Sequence, residues 1–184
     1  MKELPVRKKI RLEGYDYSSE GCYYITICVK DRHEMLGKIT PKVGAIINRP
    51  QVELSENVGA IPRVELSEYG KIAENALNAI PEHYDGVTID KYVIMPNHIH
   101  LILILRNNYD ENGRLIVTPA RVPAIIQQFK RTVTKQAGFS LWQKSYHDQI
   151  LRNKAEYLRK RQYINQNPAK WMEDCYYPPA NRQI

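Results

Sequence analysis

The run from Lys91 to Leu105, KYVIMPNHIHLILIL, restricts the fold more than any other stretch of the chain. Its second half alternates nothing: Ile99 and Leu101 to Leu105 are all apolar, so neither face is left for solvent. A run of that kind reads as a central strand covered on both sides. Two histidines, His98 and His100, open it. Residues i and i+2 of a strand share a face, so both imidazoles point the same way. Polar rings rarely enter a covered strand without partners, and the pair therefore points to a metal site or a catalytic pair. The Met95-Pro96-Asn97 turn joins this strand to Val87–Ile94, which predicts a hairpin.

The remaining elements follow from period and punctuation. Cys22 to Val29, rich in aromatic and β-branched residues, reads as a strand, with a turn at Lys30 to Arg32 and a shorter strand near Met35 to Ile39. Ser67 can cap a helix from about Glu68 to Ile80, stopped by Pro81. Pro119 to Gln136 places Val122, Ile125, Ile126, Phe129 and Val133 on one face and ends before Gly138, a second helix. LWQKSYHDQIL is irregular or extended, and a last helix runs from about Asn153 to Asn167, stopped by Pro168. Loop insertions are expected at about 41–62 and 106–118. Together these predict one domain over 1–184 of α+β class: a ferredoxin-like antiparallel sheet (split βαβ) with helices packed on one face and a C-terminal helix.

Charge narrows the partner. The chain has 27 Lys plus Arg against 20 Asp plus Glu, a net charge of +7, and a pI near 9.2. Between Lys130 and Lys170 the net charge is +8, so the rest of the chain sums to −1. A cationic excess gathered in one segment favours a polyanion, although a solvated helix face carries similar runs. Lys130, Arg131, Lys135, Arg152, Arg159 and Lys160 are the candidate nucleic-acid contacts. Cys22, Cys28 and Cys175 form no CxxC pair, which argues against a disulfide framework or a zinc knuckle. No run reaches the roughly 18 apolar residues of a membrane span, and the charged N-terminus has no apolar leader core, so a cytoplasmic protein without membrane contact is expected.

The last helix carries the second informative pattern, RQYINQNPAKW. Tyr163 and Asn167 are i and i+4, on one face, with Arg159 and Lys160 on the same side. An amphipathic helix with a buried tyrosine and a terminal asparagine would look the same, but the histidine pair and the basic segment weigh against that account.

MPNHIHLILIL resembles the histidine–apolar–histidine (HUH) signature of single-tyrosine transposases and related endonucleases. RLEGYDYSSEGCYYITICVKDR, ELSEYGKIAEN, IIQQFKRTVTKQ, LWQKSYHDQILRN and YINQNPAKW resemble, in order, pieces of the REP-associated tyrosine transposases. An HxH alone occurs in many metal sites. Six ordered segments with a tyrosine before NPxxW are specific. The resemblance implies a ferredoxin-like palm, a nucleophilic Tyr163, and a divalent metal, Mg²⁺ or Mn²⁺, held by His98, His100 and Asn167, the polar residue four after the tyrosine. It implies cleavage of single-stranded DNA near a hairpin through a 5′-phosphotyrosine, followed by strand transfer, in a monomer or a homodimer.

That chemistry sets requirements. A free tyrosine has a pKa of about 10, so only about one in a thousand is phenolate at pH 7; Arg159, Lys160 and the metal are expected to favour the anion. No residue stands out as a general base. Gln166, i+3 from Tyr163, rivals Asn167 as third ligand, and Tyr146 and Tyr157 are rival nucleophiles without an asparagine at i+4. His147-Asp148 is a weaker candidate, since neighbours in sequence rarely face the same way. His33 and His83 fall in turns, Trp171 reads as core, and Trp142 could be core or a base-stacking platform. Two other readings compete: a DNA-hairpin-binding module derived from a transposase with little or no cleavage, and a small metallohydrolase, for which the basic segment and the scarcity of acidic ligands near the histidines are awkward.

Overall fold

The computed structural model describes residues 15–40, 62–107, 109, 111–112 and 120–177. Strand β1 (Gly21–Cys28) is followed by a 3₁₀ turn at Lys30–Arg32 and by β2 (Gly37–Thr40), β3 (Arg63–Leu66), α1 (Glu68–Asn78) and α2 (Ile80–His83). Then come β4 (Val87–Ile94), β5 (His98–Leu105), α3 (Val122–Ala137), β6 (His147–Leu151) and α4 (Lys154–Gln166). Strands β4-β5-β1-β6 form one antiparallel sheet, while β2 and β3 pair separately. Without β2 and β3 the order is βαββαβ with an added terminal helix, the ferredoxin-like arrangement.

The apolar run of β5 is central, as its composition requires. Ile99, Leu101, Leu103 and Leu105 face one way and pack with Tyr23, Ile25 and Ile27 of β1, Ala73 and Leu77 of α1, and Ile125, Ile126, Phe129 and Val133 of α3. His98, His100 and Ile102 face the other way. There Ile102 meets Tyr24, Leu151 and Ile164 in a smaller cluster beneath α4. Helices α1 and α3 thus cover one face and α4 the opposite one, so each face of the sheet has its own task.

Local signals explain most boundaries. Ser67 caps α1 by accepting from the Gly70 N–H at 3.1 Å. Gly138 ends α3 with φ 81°, a left-handed conformation suited to glycine. Pro81 acts differently from expectation: α1 has already ended at Asn78, and Pro81 sits in the first turn of α2. A proline N–H is not needed at a helix start, so the residue that cannot continue one helix can open the next. β3 is a strand that period alone did not reveal; its four residues alternate between exposed and half-buried positions. The expected insertion at 41–62 lies outside the described residues except for Pro62, and most of 106–118 does too.

Gly70 marks a close approach. A Cβ there would strike the backbone carbonyl oxygen of Leu36, the same atom that accepts from the Ser67 N–H at 3.0 Å. Replacing Gly70 by alanine is therefore expected to destabilise the fold by about 2 kcal/mol, despite alanine's better helix propensity. A urea midpoint unchanged or raised in that variant would contradict the packing described.

Candidate active site and metal centre

The histidine pair occupies the α4 side of the sheet, opposite Cys28 and Thr26 of β1. Both rings are buried, and their Nε2 atoms approach to 3.0 Å. Asn97 sets their protonation. Its Nδ2 donates to the carbonyls of Arg32 at 3.1 Å and Tyr176 at 2.9 Å, which leaves Oδ1 to face His98 Nδ1 at 2.8 Å. An amide oxygen only accepts, so His98 carries its proton on Nδ1 and presents a lone pair on Nε2. His100 Nε2 then donates to that lone pair, and His100 Nδ1 accepts from Tyr24 (2.8 Å) or Thr26 (2.9 Å).

Asp174 completes the cluster. It is buried, and one ligand atom from each of His98, His100 and Asp174 lies within 4.8 Å of the others. Its Oδ2 accepts from Tyr163 OH at 2.9 Å and from Asn167 Nδ2 at 2.8 Å, and its Oδ1 from the Tyr176 N–H at 2.7 Å. Asn167, at the C-terminal end of α4, is also buried, and its Oδ1 has no hydrogen-bond partner among the described residues. Two converging imidazole nitrogens, a carboxylate and an orphaned amide oxygen make a donor set that fits a divalent cation. His100 can adapt by moving its proton to Nδ1, where the hydroxyls of Tyr24 and Thr26 become acceptors, the usual outer support of a ligating histidine.

Tyr163 is 39% exposed, with its ring 5.3 Å from that of His100 and 6.4 Å from that of Tyr24, measured between centroids. Its phenol is pushed above the ordinary tyrosine range, first by burial and then by the Asp174 carboxylate. The expected help from the neighbouring cations is not found. Lys160 sits over the Tyr24 ring, 4.3 Å from its centroid, and is itself shifted down by burial and by Arg159. Near the histidines, Trp171 and Tyr176 close the site, with ring centroids 5.8 and 4.5 Å from His98. Tyr176 is pushed up to about 12, chiefly by burial.

Helix α4 is aimed by few contacts. Ile164 is its one fully buried apolar side chain. Asp90, at a bulge between Ile89 and Lys91 of β4, accepts from Tyr157 OH at 3.0 Å and faces Arg161 Nε at 3.5 Å. Tyr157, a rival nucleophile, is thus directed away from the histidines; Tyr146, the other, is buried in the main core.

The candidate nucleic-acid residues separate into two groups. Arg152, Arg159 and Lys160 lie on or next to α4, whereas Lys130, Arg131 and Lys135 belong to α3, across the sheet from the histidines. Lys130 is committed locally: its Nζ donates to the carbonyls of Gln143 (2.9 Å) and Ser145 (2.6 Å), and burial lowers its pKa to about 8. Arg131 and Lys135 are exposed. His147 and Asp148 point to opposite faces, as alternation requires, but His147 lies on the site face opposite Thr26. Trp142 packs in the main core 5.6 Å from Phe129.

Burial holds His98 neutral down to about pH 3, with Arg32 adding to the effect. An unfolded histidine titrates at about 6.5. Between those values the unfolded state binds the proton and the folded state does not, so stability falls as pH drops through this window. In EDTA, lowering the pH from 7 to 4 is expected to cost about 3 kcal/mol at this residue alone. His100, shifted down the same way by burial and by His98, adds to the loss. His98→Gln should flatten the urea-midpoint profile between pH 4 and 7, and an equally steep profile in that variant would remove His98 as its source.

The chain is 30% identical to an uncharacterized protein of Haemophilus influenzae over 93% of both chains. A second Haemophilus influenzae protein, provisionally named a REP-associated tyrosine transposase, is 22% identical over 84% of this chain and 74% of its own length. A solved structure of a REP-associated tyrosine transposase bound to a REP hairpin superposes with a TM-score of 0.57 at 16% identity, covering 88% of this chain and 74% of that one. The chain has the fold of that REP-associated tyrosine transposase. No protein-family model matches it. Sequence reasoning missed Asp174, which meets the expected scarcity of acidic ligands near the histidines. The available signal was the single acidic pair Glu173-Asp174 after NPAKW; only the 3₁₀ turn Trp171–Glu173 brings it back to the site.

Proposed function

We propose that the protein is a metal-dependent single-stranded DNA endonuclease and strand transferase that acts beside DNA hairpins through Tyr163. The observation that carries this reading is the Tyr163 hydroxyl bonded to Asp174, the same carboxylate that joins the two converging histidines. The relative bound to a REP hairpin supports a folded DNA strand as partner. Arg159 and Lys160 line the cavity beside Tyr163, and the exposed Arg152, Arg131 and Lys135 offer phosphate contacts farther away, so binding should weaken steeply with salt.

Asp174 takes the phenolic proton as Tyr163 Oη attacks phosphorus. The Tyr163 Oη–P bond forms, the P–O3′ bond breaks, and the 3′ oxygen leaves with its electron pair and takes a proton from solvent. Asn167 and Tyr176 hold Asp174 in place for that transfer. His98, His100, Asp174 and the Asn167 oxygen are the residues that would hold the cation, whose chemistry is to polarise a non-bridging phosphate oxygen and stabilise transition-state charge. Nitrogen ligands favour Mn²⁺ over Mg²⁺ in such a set.

A binding-only reading has one observation in its favour: burial and Asp174 together hold Tyr163 in its protonated, unreactive form. Labelled hairpin oligonucleotides from DNA flanking the protein's own gene separate the two. With Mg²⁺ or Mn²⁺, a covalent protein–DNA band on a denaturing gel, lost with EDTA, is the expected result. Hairpin binding without any adduct would leave a binding module, and no binding at all would remove DNA as the partner.

A further inference from the structure

A cavity of about 590 Å³ opens between β6 and α4, on the side of Tyr163 away from the histidines. Gln149 reaches it from the edge strand, where it lies opposite Tyr24 on the site face. Arg159, Gln162, Tyr163 and Gln166 reach it from α4 at i, i+3, i+4 and i+7, a single helical stripe. A second cavity of about 440 Å³, lined by Gln149, Lys160 and Tyr163 as well, extends to His100. Tyr163 therefore borders both, and a strand laid across its hydroxyl would have one neighbouring nucleotide in each.

The larger cavity is an open, solvated groove whose lining is mostly polar. Three exposed carboxamides and one exposed guanidinium, from two separate elements, line it beside Lys160, and none of these four has a hydrogen-bond or ion-pair partner among the described residues, so their polar atoms are open to a ligand. Its one carboxylate, Glu156, is engaged by the N–H of Arg152 at 3.0 Å. A carboxamide presents a donor and an acceptor in one plane, the pattern that matches a nucleobase edge, whereas phosphate asks only for donors. Cations alone would grip a strand without regard to sequence.

We propose that this cavity is a nucleobase-reading subsite, in which Gln149, Gln162 and Gln166 select the base next to the phosphate presented to Tyr163 while Arg159 and Lys160 hold the strand. This rests on the reading of the protein as one that handles single-stranded DNA, and it places part of the sequence choice in the protein, beside the nucleophile.

The test is equilibrium binding of fluorescent dA, dC and dT homopolymers and an abasic strand of equal length, in EDTA so that no cleavage intervenes. The native protein should separate its strongest from its weakest homopolymer by about tenfold, the discrimination expected of one good amide–base contact. Replacing Gln149, Gln162 and Gln166 together by methionine keeps side-chain length and removes the amides. That variant should bind the homopolymers within about twofold of one another and the abasic strand as the native protein does. Arg159→Ala with Lys160→Ala should lower affinity for every strand by a similar factor. Equal binding of all homopolymers by the native protein, an unchanged order in the triple variant, or no binding to any strand would each overturn the subsite. The covalent-adduct assay on hairpins is independent of these results, so the subsite can fail while the tyrosine reaction stands, and the reverse.

Discussion

Tyr163→Phe should abolish the covalent adduct, with a fall in cleavage on the order of 10⁴-fold or more, because the substitution removes the nucleophilic oxygen. The substitution removes one hydroxyl from a residue that is already partly exposed. The ring can keep its place between His100 and Tyr24, so hairpin affinity should change less than about threefold, the size of a surface substitution's effect. A denaturing gel for the adduct and an anisotropy titration for affinity check the two halves of this expectation. Undiminished adduct would mean that another side chain attacks. Tyr157, tied to Asp90, and Tyr146, buried in the core, are poorly placed to do so.

Asp174→Asn should lower adduct formation by roughly 10²- to 10³-fold, the usual contribution of a positioned proton acceptor. The asparagine oxygen can still accept from Tyr163 and Asn167, while the bond from the Tyr176 N–H is lost because the amide nitrogen cannot accept it. Without the negative charge, two things change in opposite directions. The phenol loses the repulsion that helps hold it protonated, while the proton it must release loses its acceptor. Divalent-cation affinity should fall by about 10- to 100-fold as the carboxylate leaves the donor set. Calorimetric titration with Mn²⁺ measures that loss apart from any reaction. Native-like adduct yield together with native cation affinity would take Asp174 out of the chemistry.

The fold was readable because its strongest elements carry signals that depend on few neighbours. His98–Leu105 has a composition that suits only a buried strand, and the apolar stripe of α3 has the helical period. Ser67 and Gly138 fix helix ends by local geometry. β3 was missed because its half-exposed alternation is too short to stand out, and Pro81 was misjudged because the same missing N–H that ends a helix is harmless where one begins. The site was only partly visible. His98, His100, Tyr163 and Asn167 are close together because strand and helix periods put them there. Asp174 depends on where a turn returns after Trp171, which no period encodes. Lys130 shows the converse: a cation in a basic run whose charge is spent on two carbonyls, a fate visible only once β6 and the segment before it are in place.

The sheet separates folding from chemistry. Most of the apolar burial lies against α1 and α3, while the reacting groups stand on the other face under a helix that sinks one apolar side chain. Substitutions at the exposed Tyr163 or the exposed glutamines should therefore cost the scaffold little. A chain built this way can change the residues on its α4 side while still making a folded protein.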